Sequence, residues 1–391
     1  MGWDGGLDRR RQVGYIILAN GLKGPKSSGT QKYTNRLKQM ERETMLQTKG
    51  YAALQAGAAL EPFTFERRPV GPHEALIRIR YCGICHSDIH QARDEWGGAT
   101  FPMVPGHEIV GTVMKVGEAV KKVREGEIAG VGCFVDSCRT CASCSQGLEQ
   151  YCEKGMILTY NGRDKNGEPT YGGYSTQIVV DENYLLQIPK TLALEGTGPL
   201  LCAGITTYSP LRHWGVGKGH KLAVVGLGGL GHMAVKIGRA LGADVTVLSH
   251  SGGKRKEAER LGATEFAETG HKETFTSLAR KFDFIIDTVS APHDFNAYLE
   301  LLKTDGTLIL VGVPDQPMQI GAFGLILQRR RIAGSLIGGI RETQEMLDFC
   351  ADHGITSDVE VIPMQQVNEA YERVIRGDVR FRFVIDLDSG I

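Results

Sequence analysis

Four cysteines spaced as metal ligands occupy a 15-position stretch, from residue 138 to residue 152. Four thiolates suit a tetrahedral zinc ion with no open coordination position, and such a site stabilises the surrounding chain without taking part in chemistry. Two disulfides are the alternative, but the close spacing and the odd total of nine cysteines favour a metal in a reducing compartment. The predicted ligands of this structural zinc are Cys138, Cys141, Cys144 and Cys152.

A second group of metal-binding side chains is scattered along the sequence. Cys85, His107 and Cys202 together match an open zinc site, in which three protein ligands leave one position for water or a substrate oxygen. A metal in such a site acts as a Lewis acid and lowers the pKa of the oxygen. Taken singly, each residue has an ordinary explanation, because free cysteines are common in cores and His107 follows a Pro-Gly turn. Cys82 is not expected to be a ligand, because it belongs to the preceding strand.

A glycine-rich loop joins a predicted buried strand, residues 221–225, to a predicted helix, residues 233–241. In that context a G-x-G-x-x-G pattern indicates a dinucleotide-binding turn, because glycine lets the backbone approach a pyrophosphate at the helix N-terminus. A purely structural glycine turn is the alternative. The predicted cofactor-binding glycines are Gly226, Gly228, Gly229 and Gly231.

The end of the next strand indicates which dinucleotide is bound. NAD sites usually place an acidic residue there, but this chain has Ser249, Ser251 and Lys254, and Asp244 lies at the start of the strand. Hydroxyl groups and cations suit a 2′-phosphate, so the sequence predicts NADP(H). The alternative is that these residues form the solvent-exposed, basic start of a helix and bind no cofactor.

The elements that carry these residues fall into two patterns. Residues 51–189 are mostly short strands punctuated by Gly and Pro, including the alternating run 75–80, which predicts a barrel-like antiparallel domain. From about residue 191 strands alternate with helices, which predicts a parallel, doubly wound sheet. In this second part we predict a helix over 199–214. From about residue 341 a helix–strand–helix–strand tail is expected to return to the first domain.

The length of 391 residues supports two domains, and the composition is 41% hydrophobic. Residues 1–44 hold nine Lys/Arg against four Asp/Glu, and we predict a poorly ordered extension, with Met45 as a plausible true start and a transit peptide as the weaker reading. The predicted boundaries are 1–44 for the extension, 45–190 for the catalytic domain with a zinc lobe at 136–153, 191–338 for the nucleotide domain, and 339–391 for the returning tail.

The charge balance offers no general reason to bind nucleic acid or a membrane. Lys+Arg 45 against Asp+Glu 45 gives a formal net charge of +0. No apolar run approaches the roughly 20 residues that cross a bilayer. We therefore expect a cytoplasmic protein with a small-molecule substrate.

From about Met45 to the end, the sequence resembles the zinc-dependent medium-chain alcohol dehydrogenases, and within them the cinnamyl alcohol dehydrogenase branch. The resemblance implies an α/β protein with a GroES-like β-rich catalytic domain, a Rossmann domain and a cleft between them. It also implies a homodimer joined through an edge strand at residues 331–337. The motifs that carry it are residues 85–90, 106–108, 201–204 and 226–231, with the four-cysteine lobe.

The resemblance also implies ligands for two zinc ions per subunit. Cys85, His107 and Cys202 would bind the catalytic zinc, and Glu108 would be a fourth ligand when the inner site is empty of substrate. The four cysteines of the lobe would bind the structural zinc. Asp88 would hold His107 and select its tautomer.

The remaining roles implied by the resemblance concern proton transfer, cofactor and substrate. Ser87 would pass on the proton of the substrate hydroxyl, and His90 would relay it toward solvent. His86 would lie near the cofactor pyrophosphate, and Trp96 would line the substrate pocket. The plain alternatives are a surface role for His90 and core packing for Trp96. Ser249, Ser251 and Lys254 match the 2′-phosphate site of the branch.

The predicted function is the NADP(H)-dependent interconversion of primary alcohols, aromatic or aliphatic, and aldehydes. A polyol or secondary-alcohol dehydrogenase would use the same metal chemistry. A non-catalytic NADPH-binding protein that retains the scaffold is the alternative from another class, but it would not need an open zinc site.

Overall fold

Two large sheets organise the part of the chain that the computed structural model describes, residues 45–314 and 316–390. The predictions for residues 1–44 lie outside the described residues. The strands are β1 (Leu46–Ala52), β2 (Glu61–Arg67), β3 (Glu74–Gly83), β4 (Ile109–Val116), β5 (Ile128–Val131), β6 (Phe134–Asp136), β7 (Ile157–Leu158), β8 (Gln177–Asp181), β9 (Leu186–Gln187), β10 (Lys221–Val225), β11 (Asp244–Ser249), β12 (Glu265–Glu268), β13 (Phe282–Asp287), β14 (Leu302–Leu310), β15 (Arg331–Gly334), β16 (Val359–Pro363) and β17 (Arg382–Asp386).

The helices lie mainly in the second half of the sequence. They are α1 (His86–Ala92), α2 (Ala142–Ser145), α3 (Leu194–Thr197), α4 (Ala203–His213), α5 (Gly231–Ala240), α6 (Arg255–Arg260), α7 (Lys272–Ser277), α8 (Phe295–Glu300), α9 (Ala322–Ile326), α10 (Ile340–Asp352) and α11 (Val367–Ile375). In the residues that the structure describes, no helix has both the length and the apolar character of a membrane span.

The first large sheet has the strand order β16-β17-β3-β4-β5-β9, and β8 also pairs with β3. β3 pairs antiparallel with β4, β8 and β17. Its apolar residues point into the core because side chains alternate between the two faces of a strand. The two strands of the C-terminal tail, β16 and β17, join this sheet, as the predicted return requires.

The second large sheet is wholly parallel, with the order β12-β11-β10-β13-β14-β15. Its central strands read as continuous apolar runs because helices cover both faces. The strand order reverses direction between β10 and β13, and ligands bind at such a switch point in doubly wound folds. The predicted α/β class, a β-rich domain with a doubly wound domain, is confirmed. The domain boundaries stay predictions.

The predicted helix over 199–214 is interrupted. A 3₁₀ turn covers Gly198–Leu201, and α4 begins only at Ala203. Cys202, between them, has the non-helical dihedrals φ −127° and ψ −73°. The interruption brings the thiol of Cys202 into the site described below.

Strand pairing brings distant segments of the sequence together at one end of the first sheet. In the antiparallel pair β3–β4, Cys82 lies opposite Ile109. The chain leaves β3 toward Cys85 and enters β4 from His107, so both residues emerge at the same end of the pair.

Candidate active site

Four buried side chains form a cluster that could hold a metal ion. One ligand atom from each of Cys85, His107, Glu108 and Cys202 lies within 4.8 Å of every other. The Sγ atoms of the two cysteines are 3.9 Å apart. Exposure ranges from 0% for Glu108 to 8% for the two cysteines. The structure therefore brings together all four predicted ligands, although Cys202 follows Cys85 by 117 positions.

Asp88 joins the segments that carry these ligands. Its carboxylate, which is fully buried, accepts hydrogen bonds from the backbone N–H of Cys85 at 2.8 Å and of Gly106 at 3.1 Å. The hydroxyl of Tyr174 donates a third, at 3.1 Å. The other contact is with Nδ1 of His107 at 3.2 Å. A carboxylate at Nδ1 favours the tautomer with the proton there and leaves Nε2 free to bind a metal.

Arg382, at the start of β17, also reaches the cluster. It is almost completely buried and donates a hydrogen bond to Oε1 of Glu108. The second carboxylate oxygen, Oε2, is buried and has no hydrogen-bond partner among the described residues. The sequence contained one indication of this residue: a single charged residue, Arg382, at the start of an otherwise apolar run that continues with Phe383 and Val384.

The electrostatics of the cluster favour a thiolate. The Cys202 thiol, as a hydrogen-bond partner, and the positive charge of Arg382 lower the pKa of Cys85 well below its usual value, against the opposing effect of burial. Burial raises the pKa of Glu108, although the charge of Arg382 opposes it. Thiolate is the form of cysteine that binds metals.

This donor set fits a zinc ion. Two sulfurs, one imidazole nitrogen and one carboxylate oxygen are the atoms that zinc prefers, and their number suits tetrahedral coordination. Buried polar atoms nearly always have a partner, so the unpaired Oε2 of Glu108 indicates a missing electropositive neighbour. Cys85, His107, Glu108 and Cys202 could hold the ion.

Helix α1 carries one polar side chain beside the cluster and another that is partly exposed. Ser87 Oγ is 3.6 Å from the Sγ atom of Cys85, and His90 lies one helical turn further on. The side chain of His90 is 31% exposed and is held by Glu95, whose carboxylate contacts Nδ1. The exposed indole of Trp96 stacks on the His90 ring with centroids 4.9 Å apart. Sequence reasoning missed Glu95, because the five-residue separation from His90 matches no regular helical spacing.

The four-cysteine lobe forms a second set of converging ligands. The Sγ atoms of its cysteines all lie within 4.8 Å of one another. None of the nine cysteines, all of which belong to the described residues, forms a disulfide. Backbone N–H groups point at the sulfurs, and those of Thr140 and Cys141 lower the pKa of Cys138 to about 6. Four convergent sulfurs with N–H donors fit a tetrahedral zinc.

The glycine loop connects β10 directly to α5, as the dinucleotide pattern requires. Gly226 has φ +85°, which favours glycine, and Gly231 packs so closely on Gly226 that a Cβ would collide with its carbonyl. Gly228 has open space where a Cβ would be. Gly229 lies against the side chain of Arg382. The loop therefore adjoins the arginine that contacts the cluster.

The predicted 2′-phosphate residues follow β11. Ser249 ends the strand, and Ser251 precedes a 3₁₀ turn at Gly252–Lys254. Nζ of Lys254 donates to the carbonyl of Leu227 at 3.0 Å, which places it beside the glycine loop. His86 is exposed at the first position of α1.

Comparison with protein families agrees with this architecture. A model of the alcohol dehydrogenase GroES-like domain matches residues 71–190, and a model of the zinc-binding dehydrogenases matches residues 229–352. NADP-dependent alcohol dehydrogenase C 1 of Mycolicibacterium smegmatis is 57% identical over 87% of this chain and 97% of that protein. Aldehyde reductase YahK of Escherichia coli is 52% identical over 87% of this chain and 98% of that protein.

A solved structure supports the same assignment. A cinnamyl alcohol dehydrogenase of Sorghum bicolor superimposes with a TM-score of 0.86 at 46% identity, over 88% of this chain and 99% of that one. Identity at this level over nearly the whole length of the relatives shows the family and not the fold alone. The chain belongs to the zinc-dependent medium-chain alcohol dehydrogenases.

Proposed function

We propose that this chain is an NADP(H)-dependent alcohol dehydrogenase and aldehyde reductase that interconverts primary alcohols, aromatic or aliphatic, and aldehydes. The observation that carries the proposal is the buried cluster of Cys85, His107, Glu108 and Cys202, which has the hydroxyl of Ser87 beside it and adjoins the glycine loop through Arg382. The names of the relatives, NADP-dependent alcohol dehydrogenase and aldehyde reductase, support the same reaction and cofactor.

Each part of the site has a role in this reaction. A bound zinc ion supplies Lewis acidity toward a substrate oxygen, and NADP(H) supplies or accepts the hydride. Asp88 fixes the orientation of His107. Ser87 and His90 carry a proton between the cluster and solvent, and Glu95 orients the imidazole. Trp96, exposed beside His90, lines the substrate entrance.

The cofactor takes its own set of residues in this proposal. Backbone N–H groups at the start of α5 bind the pyrophosphate. Gly228 has no side chain, so the pyrophosphate can approach the backbone closely there. Arg382, whose side chain packs against Gly229, supplies positive charge beside the loop, and His86 at the start of α1 lies near the pyrophosphate. Ser249, Ser251 and Lys254 bind the 2′-phosphate.

The proposal includes a second zinc ion, bound by the four-cysteine lobe, and a homodimer in the cytoplasm. For the dimer, β15 is an edge strand of the parallel sheet, and edge strands readily pair with another chain. Helix α9 and the residue that follows it expose three large apolar side chains: Phe323, Ile326 and Leu327. The even charge balance and reduced cysteines fit the cytoplasm.

A substrate and cofactor panel tests the proposed reaction. Cinnamaldehyde, an aliphatic aldehyde, a ketone and a ketose sugar are each mixed with the protein and NADPH or NADH, and loss of nicotinamide absorbance is followed. We expect fast turnover of the aldehydes with NADPH. Turnover confined to the ketone or the sugar would replace the proposal with a secondary-alcohol or polyol dehydrogenase. Absence of turnover with every substrate would favour a non-catalytic protein.

A further inference from the structure

One acidic side chain reaches the segment that is proposed to bind the 2′-phosphate. Glu268 is the last residue of β12, and Ser249 is the last residue of the neighbouring strand β11. The two residues are register partners in the parallel pair. The carboxylate therefore emerges beside the chain segment that continues from Ser249 to Lys254.

The Glu268 carboxylate lies directly against this segment. It approaches the backbone of Gly252 so closely that a Cβ there would collide with Oε1. Gly252 follows the proposed phosphate ligand Ser251 and opens the turn that ends at Lys254, so the negative charge lies against the backbone that carries both ligands. The side chain of Glu268 is 34% exposed, which leaves it open to an approaching ligand.

Glu268 also contacts one arginine and one histidine that border the segment. Its Oε1 is 3.6 Å from Nη2 of Arg255, and its Oε2 is 4.0 Å from Nε2 of His271. A guanidinium is the side-chain group best suited to bind a phosphate. In this arrangement the guanidinium of Arg255 faces a carboxylate.

These contacts should weaken the binding of NADP(H) and leave the binding of NAD(H) unaffected. A 2′-phosphate carries up to two negative charges, so a carboxylate within a Debye length of about 8 Å repels it. The same carboxylate competes with the phosphate for Arg255. NAD(H) has a neutral hydroxyl at this position and meets neither effect.

We propose that Glu268 is a specificity-determining residue that limits the preference of this protein for NADP(H) over NAD(H). The inference rests on the proposed 2′-phosphate site at Ser249, Ser251 and Lys254. Glu268 does not touch the reacting atoms, so its effect belongs to cofactor binding and not to hydride transfer.

Binding of the reduced cofactors to Glu268→Gln tests the inference. Dissociation constants for NADPH and NADH are measured from the fluorescence of the bound nicotinamide, at low and at high salt. We expect the constant for NADPH to fall by about three- to tenfold at low salt, with a smaller change at high salt, because the interaction is electrostatic. The constant for NADH stays within about twofold of the wild type, because the removed charge faces no phosphate there.

Glu265→Gln is the matched control. Glu265 lies at the other end of β12 and pairs with Lys281, so it is remote from the phosphate segment. We expect this variant to keep the wild-type ratio of the two dissociation constants. A similar gain in NADPH binding for both variants would show a general charge effect and overturn the specific role of Glu268.

Lys254→Ala separates failure of the inference from failure of the site beneath it. We expect this variant to lose about tenfold or more in NADPH binding, with little change for NADH, because it removes a charge-assisted phosphate contact. Such a selective loss, combined with an unchanged cofactor ratio in Glu268→Gln, would overturn the role of Glu268 and leave the phosphate site intact. Equal losses for both cofactors in Lys254→Ala would reject the phosphate site itself.

Discussion

Glu108 and Arg382 form an ion pair inside the protein, with side-chain exposures of 0% and 6%. Taking two charges out of water is costly, so such a pair adds little stability as a unit, but either partner alone is strongly destabilising. The pair also connects two regions of the proposed site, because the carboxylate belongs to the cluster that could hold a metal ion and the arginine packs against Gly229 of the glycine loop.

Replacing Arg382 by alanine should therefore destabilise the fold. We expect the free energy of unfolding to fall by about 3–5 kcal/mol, because Glu108 would remain buried without its partner. Denaturant titration of variant and wild type, both freed of zinc by a chelator, measures this change, because a bound zinc ion would give the Glu108 carboxylate another electropositive neighbour. Arg380→Ala is the control, since Arg380 and Glu257 form an exposed pair whose loss should cost at most about 1 kcal/mol. Equal, small losses in the two variants would contradict this account.

His232 is the second residue of α5 and is fully buried. Nδ1 contacts the carbonyl of Gly228 at 3.2 Å, Nε2 contacts Oγ of Ser357 at 3.0 Å, and the ring stacks on Phe381. Burial, followed by the charges of Lys236 and Arg382, lowers the pKa of His232 to about 3, and Asp358 opposes this only in part. The native protein therefore keeps this imidazole neutral in mild acid.

A lowered histidine pKa makes stability depend on pH in a definite direction. Below about pH 6.5 the unfolded chain binds a proton at His232 that the native protein does not bind until about pH 3. Stability is thus lost as the pH falls through this window, by about 1.4 kcal/mol per pH unit from this residue. We expect His232→Asn to show a shallower loss between pH 6.5 and 5 in denaturant titrations. If the free energy of unfolding fell equally steeply with pH in the variant and the wild type, His232 would not be a source of this pH dependence.

At the scale of elements, the four-cysteine lobe supports the segment between β15 and α10. The amide of Leu336 donates to the hydroxyl of Tyr151, and the amide of Ile340 donates to Oε2 of Glu149, each at 3.1 Å. Gly339 packs so tightly on Gly147 that no Cβ would fit. The lobe therefore holds the segment that follows the proposed dimer edge strand.

Loss of zinc from the lobe should loosen this segment. In Cys152→Ala we expect amide exchange of residues 336–341 to accelerate by about tenfold or more, because hydrogen bonds of about 1–2 kcal/mol are lost. Hydrogen–deuterium exchange followed by mass spectrometry measures the change. Cys82→Ala, which removes a buried thiol outside the lobe, should leave that segment protected. Unchanged exchange of 336–341 in Cys152→Ala would show that the lobe does not support it.

At the scale of the whole molecule, the sequence predicted the features that depend on local spacing. The alternation of residues 75–80 predicted β3, and the glycines between 226 and 231 predicted the turn between β10 and α5. The proposed ligands came from short motifs, and the structure brings them together. The return of the tail to the first sheet followed from its helix–strand pattern.

The features that sequence reasoning missed depend on contacts between distant residues. Arg382 is separated from Glu108 by 274 positions, and no local pattern connects them. The interruption of the helix at Cys202 is also invisible in the sequence, since tertiary packing overrides the helical pattern there. Glu268 lies beside the segment proposed to bind the 2′-phosphate because β11 pairs with β12, and the sequence alone does not show that pairing.

We propose that Cys85, His107, Glu108 and Cys202 hold the zinc ion on which the reaction depends. Zinc content by mass spectrometry, measured together with cinnamaldehyde reduction by NADPH, tests it most directly in wild type, Cys85→Ala and Cys152→Ala. We expect about two zinc ions per subunit for the wild type and about one for each variant. Cys85→Ala should keep its circular dichroism and lose activity. A fully active Cys85→Ala protein that has lost one zinc ion would contradict the account.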